Sequence, residues 1–142
     1  MRLIKMWGGL GNQMFIYAMY MSMRRCFADV RLDISHVRFD KAHCGYEMHR
    51  VFGLPDVEFR TWGKLLKVIK CLFFKTILED KRNKSLEPYL RRYRWPFIYF
   101  QGFYQSERFF ADVADEVRRT YRFNLSMANE KTKILLRKIG GG

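Results

Sequence analysis

The chain has 142 residues, 49% of them apolar, a length that suits one domain with a buried core or half of a larger two-domain protein. Its formal net charge of +13 favours an anionic partner such as nucleic acid, an anionic membrane surface or a phosphorylated substrate, and composition does not choose among them. No apolar run is long enough for a transmembrane helix and no secretory leader is evident, so we expect a cytoplasmic protein.

The first predicted elements are a strand, a glycine-rich turn and a helix. Leu3–Met6 is a short apolar strand that ends at Gly8-Gly9. Asn12 is the predicted N-cap of a helix that runs to about Phe27. Since this helix is apolar on all sides over Met14–Met23, we expect it to be buried.

A second strand and a basic helix are predicted next. Val30–Ile34 alternates apolar and charged residues with a period of two, which is typical of a strand. In Leu65–Leu78, together with the lysine before it, four lysines fall on one side of a helical projection and leave a wide apolar face. The pattern predicts a basic amphipathic helix, followed by a polar linker over Glu79–Leu86.

The last third of the chain predicts one more strand and two helices. Phe97–Gln101 is the strand, Gly102 the turn after it, and Ser106 the N-cap of the next helix. A final helix fits Ser126–Ile139. The apolar face of the helix after Ser106 consists of Phe109, Phe110, Val113, Val117 and Tyr121. Strands that alternate with helices predict an α/β fold with a parallel, Rossmann-like sheet flanked by helices, in which Leu3–Met6 is central.

The cysteines and histidines do not predict a metal site. Cys26, Cys44 and Cys71 are widely separated and lack CxxC spacing, so we interpret them as reduced core residues. His43 and His49 are interpreted as solvated or structural residues, because no cluster of His, Cys and Asp has the spacing of metal ligands.

The turn that contains Gly8, Gly9 and Gly11 can be interpreted in two ways. Glycines between a strand and a helix let the backbone approach a ligand closely, and the first helical N–H groups favour an anion. The spacing is neither that of a dinucleotide-binding loop nor that of a phosphate-binding P-loop. Alternatively, the glycines only satisfy unusual backbone dihedral angles.

Two motifs resemble one enzyme family. The string GGLGNQMFIYAMY, from Gly8 to Tyr20, is similar to the N-terminal motif of the α-1,2-fucosyltransferases of glycosyltransferase family 11, with Ile16 where a glutamine is usual. The string GFYQSERFF, Gly102–Phe110, resembles a second motif of that family. RLDIS at Arg31–Ser35 and YEMHRVFGL at Tyr46–Leu54 agree more weakly.

The resemblance implies transfer of L-fucose from GDP-fucose to the 2-hydroxyl of a galactoside, on a GT-B-like scaffold and without a metal cofactor. Amide dipoles and cationic side chains would then stabilise the departing GDP. It identifies no catalytic base. The implied substrate-binding residues are Gly8, Gly9, Gly11, Asn12, Gln13, Phe103, Tyr104, Gln105 and Glu107. The aromatic residues among them could stack on sugar rings, or they could simply fill the core.

One family motif is absent from the 142 residues. Family members carry an arginine-bearing H-x-R-R-G-D-Y motif, associated with GDP-fucose, in a second half. HVRFD at His36–Asp40 imitates that motif only superficially and is interpreted as a loop. We therefore expect residues 1–142 to form the N-terminal, acceptor-side domain without the donor-binding domain, and to show no fucose transfer alone.

Binding modules are the alternative. The basic stretch Lys64–Arg94, in which Tyr89, Tyr93 and Trp95 are interleaved, could hold nucleic acid through phosphate contacts and stacking. Leu65–Leu78 could also lie on an anionic membrane surface as a peripheral anchor, which is compatible with the enzyme hypothesis.

Overall fold

A computed structural model of the chain describes residues 1–37, 45–54, 72–80, 82, 85–91, 95–123, 130–131 and 133–134. The helices and strands with described bounds are, in chain order, β1 Arg2–Lys5, α1 Leu10–Cys26, β2 Val30–Asp33, α2 Met48–Phe52, β3 Lys75–Leu78, α3 Glu87–Arg91, β4 Ile98–Gln101 and α4 Ala114–Thr120. Two 3-10 turns, Glu107–Phe109 and Ala111–Val113, connect β4 to α4.

The four strands form one parallel sheet in the order β2-β1-β4-β3. Leu3 of β1 is opposite Arg31 on one side and Tyr99 on the other, so β1 is central, as predicted. Because all strands are parallel, their carboxyl ends meet at one edge of the sheet. The predicted α/β class with a parallel sheet is confirmed.

One face of the sheet forms the main core with α1. Ile4, Leu32 and Phe100 are fully buried on that face, and Ile16 and Met19 of α1 are fully buried against it. Each fully buried large apolar side chain contributes about 1.5–3 kcal/mol relative to exposure. The predicted burial of the helix is confirmed. No helix among the described residues is long and apolar enough to cross a bilayer.

The opposite face has a buried hydrogen-bonded pair. Successive strand residues point to opposite faces, so Leu3, Asp33 and Tyr99 share this one. Tyr99 on β4 donates its hydroxyl to Asp33 Oδ2 across the central strand, at 3.0 Å, and Ser35 donates its backbone N–H to Oδ1. These donors compensate the carboxylate for its complete burial.

Two predicted helix starts differ in detail. Helix α1 begins at Leu10 with Gly9 as its N-cap, so the prediction of Asn12 as N-cap is wrong. Because glycine has no side chain, this N-cap provides no side-chain hydrogen bond to the helix. Ser106 does act as an N-cap, because its hydroxyl accepts from the backbone N–H of Arg108, but it begins a 3-10 turn and not an α-helix. The regular helix α4 starts only at Ala114.

The predicted basic helix over Leu65–Leu78 is wrong in its last four residues. Lys75–Leu78 is strand β3, which pairs in parallel with β4. Thr76 and Ile77 are β-branched, and the ladder with β4 satisfies their backbone groups, so sheet pairing overrides the helical pattern. Leu72 and Phe73 are helical, and 65–71 lie outside the described residues.

Three further predictions concern the cysteines, His43 and the last predicted helix. Cys26 is exposed as the last residue of α1, so its assignment to the core is wrong. Of the predicted helix Ser126–Ile139, residues 130, 131, 133 and 134 are described and helical. Cys44, Cys71 and His43 lie outside the described residues.

Candidate functional site

The two motif turns meet at the carboxyl edge of the sheet. One follows β1 and contains Gly8–Gln13, and the other follows β4 and contains Gly102–Glu107. The rings of Trp7 and Phe103 stack with centroids 4.3 Å apart and an angle of 10° between planes. Trp7 Nε1 donates to the carbonyl of Gly102 at 3.2 Å. The side chains of Gln105 and Asn12 also join, since Gln105 Nε2 donates to Asn12 Oδ1 at 2.7 Å.

Gly8 and Gly102 are glycines because of packing. Gly8 has φ of +77°, and a Cβ there would lie 2.7 Å from Asn12 Nδ2 and 3.3 Å from Phe103 Cε1. A Cβ at Gly102 would lie 2.4 Å from Glu79 Cβ. A side chain at Gly8 would crowd Asn12 and Phe103, and one at Gly102 would push the second turn away from Glu79. For these two glycines the structural interpretation is sufficient.

Gly11 has no such packing constraint, and Gly9 has no backbone constraint. Gly9 adopts φ of −70° in extended backbone, which any residue can adopt. Gly11 is exposed in the first turn of α1, and a Cβ there would meet no atom within 4 Å. A glycine inside a helix costs about 0.5–1 kcal/mol relative to alanine. Packing in the described structure therefore does not account for Gly11, which leaves the surface above it open to a ligand.

Gln13 has a structural position and does not reach the open surface. Its side chain is fully buried, and Nε2 donates to the carbonyls of Gly8 and Gly45, both at 2.9 Å. Its Oε1 accepts from the backbone N–H of Glu47 at 2.9 Å. The amide therefore joins the first turn to the segment that precedes α2. A buried amide with three partners positions the turn rather than contacting a ligand.

The carboxylate of Glu79 holds the second turn in place, a contact that the sequence pattern does not predict. It is the residue directly after β3, and its Oε2 accepts from the backbone N–H groups of Phe103 and Tyr104 at 2.8 and 3.1 Å. A carboxylate that accepts from two N–H groups fixes the direction of the turn. A carboxylate directly after a strand could have indicated this contact, but the sequence pattern placed Glu79 in a polar linker and predicted no strand before it.

The aromatic residues of the second turn divide between core and surface. Tyr104 is fully buried, and its ring packs edge-on against Tyr89 and Phe109. It presents no ring face to a ligand in this structure, and its backbone lies at φ of +53°. Phe103 is half-buried in its stack with Trp7. Of the two, only Phe103 lies at the surface where the turns meet.

The polar residues of the second turn are exposed. Glu107 pairs with Arg118 at 3.0 Å, a surface ion pair that contributes about 0–1 kcal/mol. The hydrogen bond between Gln105 and Asn12 uses the amide nitrogen of the first and the amide oxygen of the second. Asn12 Nδ2 and Gln105 Oε1 make no hydrogen bond to another described residue. The site therefore presents an amide donor and an amide acceptor side by side.

Helix α1 adds a positive end to the same surface. Its first turn contains no acidic residue, and its N-cap uses no side chain, so the first helical N–H groups remain available. The helix dipole favours a negative or strongly polar oxygen there. Together with Asn12 and Gln105, the helix end can bind a ligand that carries hydroxyl or phosphate oxygens.

Burial sets the pKa of the two tyrosines next to the site. Desolvation, with Tyr89 and Glu79 nearby, raises the pKa of Tyr104 well above its usual range. Burial and the neighbouring Asp33 carboxylate likewise raise the pKa of Tyr99. Both phenols are therefore neutral at physiological pH, and neither can act as a base there.

The described residues contain no grouping for a metal ion, and of the interleaved aromatic residues of the basic stretch Tyr89 is buried while Trp95 is 55% exposed. Within the described ranges no three His, Cys, Asp or Glu side chains are grouped for a metal ion. His36 and His49 are exposed. Tyr89, one of the interleaved aromatic residues of the basic stretch, is 4% exposed and packs against Phe100, so it cannot stack on a base. Tyr93 lies outside the described residues.

Comparisons with models of protein families, with curated proteins and with solved structures find no match to this chain.

Proposed function

We propose that this chain is the acceptor-side half of an α-1,2-fucosyltransferase, an enzyme that transfers L-fucose from GDP-fucose to the 2-hydroxyl of a galactoside. One observation carries the proposal. The two segments that resemble the family's motifs, 93 residues apart in sequence, are joined at 2.7 Å by Gln105 and Asn12. Ligands of open α/β sheets bind beyond the carboxyl ends of the strands, which is where both turns lie.

The chemistry of this edge supports the same assignment. Galactosides present hydroxyl groups that both donate and accept, and Asn12 Nδ2 and Gln105 Oε1 offer the complementary pair. The open surface above Gly11 leaves room for a sugar or a phosphate to approach the helix end. The half-buried ring of Phe103 lies beside these groups, although Trp7 covers one of its faces.

We expect residues 1–142 alone to bind GDP-fucose weakly and to transfer no fucose. The described site offers a few neutral hydrogen bonds, each contributing on the order of 1 kcal/mol net. That is too little to immobilise a nucleotide sugar. In this proposal the cations that stabilise the departing GDP belong to the donor-binding domain, which carries the arginine motif in the family.

Galactoside binding tests the proposal directly. Saturation-transfer NMR with lactose should detect contact with the galactose ring in the wild-type chain. Asn12→Ala and Gln105→Ala should each weaken that contact at least about threefold, the effect of one lost hydrogen bond. Asp115→Ala, on the exposed side of α4, is the control and should change nothing.

A transfer assay completes the test. GDP-fucose and lactose are incubated with the chain alone and with the chain plus the separately expressed donor half of a family 11 enzyme. Product only in the mixture, lost in Asn12→Ala, supports the proposal. Absence of lactose binding by the wild-type chain, or binding that both alanine variants retain, would overturn it.

A further inference from the structure

We propose that the amino-terminal end of the sheet, opposite to the candidate site, docks on an anionic lipid bilayer. The surface consists of the segments that lead into β3 and β4, and we call it the aromatic patch. Its exposed members are Leu72, Phe73, Trp95 and Phe97, which are 72%, 57%, 55% and 38% exposed. Soluble proteins scatter single exposed apolar residues, whereas a contiguous group marks an interaction surface.

The patch is held together by contacts of its own. Trp95 Nε1 donates to the carbonyl of Phe73 at 3.3 Å, and Lys75 N donates to the carbonyl of Phe97 at 3.0 Å, the first link between β3 and β4. The half-buried ring of Phe74 packs with its centroid 5.5 Å from that of Phe97. The apolar groups are therefore presented on an ordered sheet end.

The charge of the flanking sequence selects the bilayer as the occupant. The stretch 64–74, which leads into β3, contains three lysines, β3 itself begins with Lys75, and 91–94, which leads to Trp95, contains three arginines, with no acidic residue in either stretch. Basic residues that flank exposed tryptophan and phenylalanine in the sequence suit the interface of an anionic membrane, where indole rings lie at headgroup depth.

Other occupants fit less well. A net charge of +13 opposes the pairing of two copies through a basic surface. Nucleic acid could stack on the aromatic members but gains nothing from Leu72, the most exposed one, and the oligonucleotide readout below distinguishes it. A bilayer accepts aliphatic and aromatic side chains alike. The candidate site lies at the other end of the strands and would face away from the membrane.

Sedimentation with lipid vesicles tests the inference. The full chain should bind vesicles of equal parts phosphatidylglycerol and phosphatidylcholine, and should not bind vesicles of phosphatidylcholine alone. The double variant Leu72→Ser/Phe73→Ser should bind the anionic vesicles about tenfold or more less tightly, since two apolar side chains no longer enter the interface. Trp95→Phe should remove a blue shift of tryptophan fluorescence on binding.

The matched control is the double variant Leu78→Ser/Phe123→Ser. It makes the same chemical changes at side chains that are 66% and 68% exposed outside the patch, and it should bind vesicles as the wild type does. The inference is overturned if the wild type ignores anionic vesicles, or if both double variants lose binding equally. It is also overturned if the patch variant instead abolishes a concentration-dependent dimer or binding to a single-stranded oligonucleotide. None of these readouts depends on fucose transfer.

Discussion

The side-chain amide of Gln105 donates to Oδ1 of Asn12 at 2.7 Å, and this bond joins turns that follow two adjacent strands. We expect a double-mutant cycle of Asn12→Ala and Gln105→Ala to give a coupling energy of about 0.5–1.5 kcal/mol in the free energy of unfolding. Urea unfolding of the four proteins measures it. The pair Asn12→Ala and Arg108→Ala, the second an exposed side chain just after the second turn with no bond to Asn12, should be additive. Additivity of Asn12 with Gln105 would show that the bond contributes nothing.

Glu79 should contribute more to stability than its position in a polar segment suggests. Its carboxylate accepts from two backbone N–H groups, those of Phe103 and Tyr104. Glu79→Ala should lower the free energy of unfolding by about 2–3 kcal/mol, and Glu79→Gln by less, because the amide oxygen can still accept. Asp80→Ala, at the exposed carboxylate next to it that accepts from the single backbone N–H of Arg82, should lower that free energy by no more than about 1 kcal/mol. Equal effects at both positions would show that the two hydrogen bonds to Glu79 add no particular stability.

Two glycines of the motifs should respond to alanine in opposite directions. Gly102→Ala should destabilise by about 1–3 kcal/mol, because its Cβ would lie 2.4 Å from Glu79 Cβ. Gly11→Ala should raise the free energy of unfolding by about 0.5–1 kcal/mol, because the new methyl group has open space in a helix. If Gly11 is kept for a ligand, this more stable variant binds lactose less well than the wild type. A destabilised Gly11→Ala would show that packing requires the glycine.

Two buried tyrosines should respond in opposite directions to the removal of a hydroxyl. The Tyr104 hydroxyl is buried without a hydrogen-bond partner among the described residues, so Tyr104→Phe should raise the free energy of unfolding by about 1 kcal/mol. Tyr99→Phe removes a donor from the buried Asp33 carboxylate and should lower it by about 1.5–3 kcal/mol. Chemical unfolding at neutral pH measures both. Similar losses in the two variants would refute the assigned difference.

Alkaline pH should destabilise the fold through the same tyrosines. Burial raises the pKa of Tyr104 in the folded state, so its contribution is complete below the ordinary pKa of about 10 and is lost as pH rises from there towards the folded value. The slope is at most about 1.4 kcal/mol per pH unit for one phenol. Unfolding at a series of pH values should give a shallower alkaline slope for Tyr104→Phe. Identical slopes for variant and wild type would exclude Tyr104 as the cause.

Local pattern was sufficient for β1, α1, β2 and β4. The apolar strand, the glycine turn and the all-apolar helix predicted β1, α1 and the burial of Met14–Met23, because periodicity and glycine content are properties of consecutive residues. The two motif turns were likewise visible from sequence. Their shared edge followed from the expectation of a parallel sheet, in which strands end side by side.

Tertiary packing decided what neighbouring residues in sequence cannot show. Lys75–Leu78 ends a segment with a helical charge pattern, yet it forms β3 because β4 supplies hydrogen-bond partners about twenty residues further along the chain. Gln13 and Tyr104 belong to motif strings, but three hydrogen bonds bury the first and a cluster of aromatic rings buries the second.

Only the folded structure therefore decides which motif residues reach the surface. Asn12 and Gln105 are side by side only because β1 and β4 end at one edge of the sheet. Glu79 reaches the second turn because β3 ends at the same edge. The sequence by itself determined which residue types are available. The strand order decided which of them meet, since side-chain contacts depend on distances that spacing along the chain does not specify.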